Sequence, residues 1–98
     1  MAVIHRQRVA GGTATYELKL VDFDTGLAIV ADTVPRISVY DPRGRPMVIN
    51  QLSEPLGGGI YIYNYTIPVG AVKGFHKGIF TYEVLGTPFA DDALAQVV

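Results

Sequence analysis

Two aspartates and a glycine at alternate positions, Asp22-x-Asp24-x-Gly26, are the residue types that open a calcium loop, where carboxylates and a glycine-enabled bend surround a hard cation. No third acidic ligand stands two residues on and no glutamate closes the loop, so the segment reads as a turn in which Asp side chains cap their own backbone. His5 and His76 are the two histidines, far apart and with no cysteine or carboxylate at ligand spacing. No metal site follows from them, and both read as solvated surface, His76 in a glycine-flanked turn with Lys73 and Lys77. Ser38 and Ser53 lack a nucleophile elbow and a base placed to serve them. Gly57-Gly58-Gly59 precedes a tyrosine-rich stretch rather than a helix N-terminus, and reads as a flexible loop instead of a phosphate cradle. The expectation is no catalytic set, no metal, no cofactor and no small-molecule substrate: a protein that is not an enzyme.

Two groups point to contact instead. Tyr61, Tyr63 and Tyr65 alternate in register with Ile67, and the period of two puts them on one face of a strand. With Phe80, Tyr82 and Val84 from another alternating run, these rings read as core rather than as a stacking platform for sugars. That assignment turns Ile60 and Ile62 outward, alongside Ile79 and Leu85 if the two strands pair. Such an apolar face is either a contact with another subunit or is covered by the terminal strands. Arg43, Arg45, Lys73, His76 and Lys77 form a second group. They cluster only if two turns share one end, and ordinary solvated turns are the expected reading.

The elements that must position these residues follow from length and pattern. A chain of 98 residues supports one core and not two. Eight Lys and Arg against nine Asp and Glu leave no sustained field to collect nucleic acid or anionic lipid. The absence of cysteine removes disulfides and thiolate chemistry together. No run approaches the ~20 apolar residues of a membrane span, and the N-terminus carries charges where an export signal needs its apolar stretch, so the expectation is a soluble chain made without export.

Apolar residues alternate along Ala14 to Val21, Arg36 to Tyr40, Ile60 to Ile67 and Ile79 to Leu85, and no window keeps a helical period. The turn Asp41-Pro42-Arg43-Gly44-Arg45-Pro46 makes a hairpin with Met47 to Asn50. Gln51 to Gly59 reads as an irregular crossing between sheets, Val69 to Gly78 and Gly86 to Asp92 as turns, Val3 to Val9 as an opening strand and Leu94 to Val98 as a closing one. The sum is an all-β, two-sheet antiparallel sandwich of about seven strands, a single domain over 1–98 with short terminal arms.

Three strings in this pattern, Ile37-Ser38-Val39-Tyr40-Asp41-Pro42-Arg43-Gly44, Gly59 to Pro68 and Gly78 to Val84, together about half the chain, resemble bacterial and bacteriophage immunoglobulin-like domains. Thr13 to Leu20, the Asp22 to Gly26 turn and Ala31 to Pro35 look like the opening half of small stand-alone virion proteins of tailed phages. The resemblance implies a non-enzymatic structural protein of a virion, a capsid decoration or minor capsid component. Its partners would be the major capsid protein and further copies of itself, met through the sheet face (Ile60, Ile62, Ile79, Leu85) and terminal arms. The alternative is an extracellular binding or spacer module from a longer adhesin or carbohydrate-active protein.

Overall fold

In a computed structural model, which describes the backbone of residues 6–9 and the whole of residues 12–98, the alternation becomes eight strands. These are β1 (Arg6–Val9), β2 (Thr13–Lys19), β3 (Arg36–Tyr40), β4 (Pro46–Leu52), β5 (Glu54–Gly57), β6 (Ile60–Thr66), β7 (Gly74–Val84) and β8 (Thr87–Val97). One sheet has the order β1-β8-β7-β3-β4 and the other β2-β6-β5. All pairings are antiparallel except β1 with β8, which is parallel. The inner faces of the two sheets supply the core: Tyr16 and Leu18 from β2, Tyr61 and Tyr65 from β6, Ile37 and Val39 from β3, Phe80 and Tyr82 from β7. Small Ala93 and Ala95 from β8 complete it. Of the tyrosine ladder, Tyr61 and Tyr65 are buried as expected and Tyr63 is half-buried.

Three segments differ from the sequence expectation. Gly86 to Asp92 is not a turn. Only Leu85 and Gly86 reverse the chain, both at positive φ, and β8 runs eleven residues from Thr87 because β7 offers it a continuous partner. Gln51 to Gly59 does cross between the sheets, but it is strand on both sides of the crossing and not irregular. The chain changes sheets at Ser53, whose N–H and hydroxyl both donate to the Pro35 carbonyl (3.0 and 2.7 Å). Beyond it β5 pairs with β6, and Gly57-Gly58-Gly59, all at positive φ, form the tight connection between them.

The third is Val69 to Gly78, read as a turn: Gly74 to Gly78 open β7, and His76 within them, expected on the surface, is buried on the inner face of that strand. Its Nε2 lies 2.7 Å from the Val72 carbonyl and so donates to it, which leaves Nδ1 to accept from the Tyr65 hydroxyl at 3.3 Å. Both ring nitrogens of the buried imidazole are thus partnered, which offsets the cost of removing them from water. His5 and the expected strand residues Val3 to His5 lie outside the described residues.

Candidate interaction site

The two ends of the sandwich are built differently. At one end β2, β5 and β7 finish while β3, β6 and β8 begin, which brings together residues 20–35, the 57–59 connection and the 85–86 turn. Local chemistry folds each piece. Asp22 Oδ1 accepts the N–H groups of Asp24 and Thr25 (2.8 and 3.3 Å) while Gly26, at φ 71°, donates to the Asp22 carbonyl. The Asp22 carboxylate therefore does the turn work its spacing implied. The loops are then laced to one another. Leu20 N–H donates to the Gly59 carbonyl at 2.8 Å, and Asp32 takes the N–H groups of Leu85 and Gly86 on its two oxygens (2.9 and 2.8 Å).

On this laced frame stand side chains that the fold leaves uncovered: Phe23 is 74% exposed, Leu27 68%, Val30 75% and Leu85 93%. Beside them an open groove of about 580 Å³ is lined by Val34, Arg36, Glu83 and Pro88 and by Tyr82 and Phe89, whose rings stack at 5.5 Å. The Tyr82 hydroxyl donates to Asp91. Burial raises its pKa, and the Asp91 hydrogen bond and charge add to the rise. Among the described residues no group of three or more His, Cys, Asp or Glu is placed to hold a metal ion.

The other end carries the 41–45 turn and residues 67–73. They are neighbours, because a Cβ built on Gly74 would sit 3.0 Å from Pro42, so the two basic turns do share one end. His76 is not in that group, being core, and Lys77 lies 4.0 Å from Asp92. Asp41 organises the turn: Oδ1 accepts from the N–H groups of Arg43 and Arg45 (both 2.9 Å), and Oδ2 from the Arg45 guanidinium (3.1 Å). Burial by itself would raise the carboxyl's pKa, but the Arg45 and Arg43 hydrogen bonds and the Arg45 charge outweigh it and hold it below the ordinary range. A depressed folded value gives stability that is complete above the unfolded value of about 4 and is lost as pH falls through the folded one. Thermal melts from pH 7 to pH 2 are expected to show a steep acid loss in the parent chain. Asp41→Asn should melt lower at pH 7 and decline less steeply below pH 4; parallel curves would show that Asp41 does not set the acid limb.

The apolar face expected from Ile60, Ile62, Ile79 and Leu85 does not form. Its condition was that β6 pair with β7, and the two lie in different sheets. Ile60 and Ile62 are on the outer face of β6, where Ile60 is opposite Lys19 and Ile62 stands between Glu17 and Glu54. Ile79 is on the outer face of the opposite sheet between Ser38 and Asp92. Charged neighbours interrupt each. Leu85 alone belongs to a larger exposed apolar group, that of the loop end, and Phe23, Leu27 and Val30 were missed because they sit in a turn region without alternation.

No family model matches the chain and no curated protein does. Among solved structures it is similar to the endo-β-1,4-mannanase from Thermotoga petrophila (TM-score 0.61, 19% identity, 96% of this chain), of whose length it spans 18%. It is also similar to titin M4 (TM-score 0.51, 12% identity, all of this chain and 94% of that one). A third likeness is to the titin M10–obscurin-like 1 immunoglobulin complex (0.51, 11%, all of this chain and 92% of that one). The fold is an immunoglobulin-like sandwich. Sandwiches of this kind in antibodies join the sheets by a disulfide beside a tryptophan, and a corner tyrosine bonds back to upstream backbone. This chain solves both problems without cysteine or tryptophan. Tyr16 reaches across to Gly78, where an added Cβ would lie 3.0 Å from Tyr16 Cδ1 and 3.1 Å from Ile37 Cδ1. Two residues before Gly78, His76 makes the corner bond to Val72.

Proposed function

We propose that this domain works by contact and not by catalysis, docking on a neighbouring protein through its loop end. The observation that carries this reading is the concentration of Phe23, Leu27, Val30 and Leu85, each more than two-thirds exposed, at one end whose loops are hydrogen-bonded into a fixed frame. Ordered loops present apolar side chains at low entropic cost, which favours binding. The module would serve either as a structural protein of a phage virion, the reading that the strand-and-turn strings support, or as a binding or spacer module of a longer protein. The short share of the mannanase that the likeness spans favours the second.

The test is incorporation in the producing cells, with purified particles and secreted protein analysed separately by mass spectrometry. Phe23→Lys with Leu85→Lys is expected to keep the circular dichroism spectrum and to cut incorporation at least tenfold. Ile62→Lys, which places an amine between Glu17 and Glu54, is expected to leave both unchanged. Recovery in particles supports the virion role, and recovery within a longer secreted polypeptide supports the module. Unaltered incorporation of the double variant would overturn the docking end.

A further inference from the structure

Charge separates along the long axis of the molecule, which measures 43 × 21 × 19 Å. The loop end carries Asp22, Asp24, Asp32 and Glu83 against two cations, Lys19 at the end of β2 and Arg36 at the start of β3, and so keeps an acidic excess. The turn end carries Arg43, Arg45 and Lys73, and the Asp41 carboxylate among them is already bound to Arg45. Both ends also expose apolar surface. The loop end has Phe23, Val30 and Leu85, and the tip of the 67–73 segment has Val69, which is 106% exposed, beside exposed Pro68.

We propose that the two ends fit one another, so that copies of this chain stack head to tail, the acidic apolar loop end of one on the basic turn end of the next. The proposal rests on the docking role of the loop end and names its occupant as a second copy. Opposite charge at the two ends attracts in this orientation, whereas loop end on loop end sets like charges against each other. The contact is heterologous and does not close on itself, so it adds copies in a line. A 21 × 19 Å cross-section limits it to roughly 400 Å² per partner, about half of what a standard specific interface buries on each side and in the range of weak, transient contacts. Stacking is therefore weak between free copies and gains strength where copies are held close together.

Sedimentation velocity of the whole chain over a concentration series, at about 20 mM and about 500 mM salt, tests this, because screening at the higher salt shortens the reach of exposed charges to a few ångströms. Association that grows with concentration at low salt and collapses at high salt is expected. Two double variants reverse one end each: Asp24→Lys with Glu83→Lys, and Arg43→Glu with Lys73→Glu. Each alone is expected to associate roughly tenfold more weakly than the parent. An equimolar mixture of the two is expected to recover association, since each retains the end the other lacks. A parent chain that stays monomeric throughout the series overturns the stack, as does a turn-end variant that associates like the parent. If the parent is monomeric while Phe23→Lys with Leu85→Lys still abolishes incorporation, the docking end stands and its occupant is a different protein.

Discussion

Replacing Tyr16 by alanine is expected to cost more stability than any other single truncation in the chain. The side chain is fully buried, its ring lies 6.2 Å from Tyr65 between centroids, and it occupies the space opposite Gly78 where the sheets approach. Its hydroxyl donates to the His76 carbonyl at 2.7 Å. Removing a large buried aromatic ring costs about 3–5 kcal/mol, and the whole stability of a domain this size is on the order of 5–15 kcal/mol. No disulfide is present to hold the sheets while the cavity relaxes. Tyr16→Phe separates the two contributions. It keeps the ring and leaves the His76 carbonyl without its donor, for about 1–3 kcal/mol. Burial, with the nearby Tyr65 as the second cause, raises the Tyr16 pKa well above its ordinary value. Its share of stability is thus present below the unfolded value of about 10 and is lost as pH rises beyond it. Urea unfolding at pH 7 followed by circular dichroism measures both variants. A loss below about 1 kcal/mol for Tyr16→Ala would mean that other contacts hold the sheets together.

Tyr16 was legible in the sequence as an inward residue of an alternating strand, and so were Leu18, Ile37, Val39, Tyr61, Tyr65, Phe80 and Tyr82, because burial of one sheet face imposes a period of two. The turns were legible for a different reason. Asp22 and Asp41 stand ahead of Gly26 and Gly44, at φ 71° and 82°, and each aspartate accepts the N–H groups that its turn frees. What failed depended on partners distant in the chain. His76 looks like a surface residue among glycines and lysines until Tyr65 and Val72 are brought to its two nitrogens. Gly86 to Asp92 has Gly, Pro, Asp and small residues that read as a turn, yet from Thr87 onward eleven residues of β7 stand beside β8 and pair with all of it. The expected apolar face failed at the same level. Each isoleucine does point outward, but which isoleucines share a face depends on sheet order, and alternation within a strand carries no information about that.

Gly59 ties the fold to the docking end, and Gly59→Ala is expected to disorganise that end while sparing the core. Its φ is 77°, a region that costs an L-residue roughly 1–2 kcal/mol. An added Cβ would lie 2.4 Å from the Leu20 carbonyl oxygen and 3.2 Å from that of Ile29. Both obstacles are backbone, so they move only if residues 20–29 move, and the Leu20 N–H bond to Gly59 is broken with them. Gly58 is the control. It too has a positive φ, 63°, but nothing lies within 4 Å of its Cβ position, so Gly58→Ala bears the conformational cost alone, roughly 1–2 kcal/mol. A loss of about 3 kcal/mol or more is expected for Gly59→Ala, since overpacking against backbone adds to that cost. Amide hydrogen exchange should show where it falls: protection lost at Leu20, Asp22 and Ile29, and retained at the centre of β7. Incorporation should fall with it, because Phe23, Leu27 and Val30 are presented by that same segment. If Gly59→Ala lost no more than Gly58→Ala, the 57–59 connection would not be part of the frame that holds the loop end.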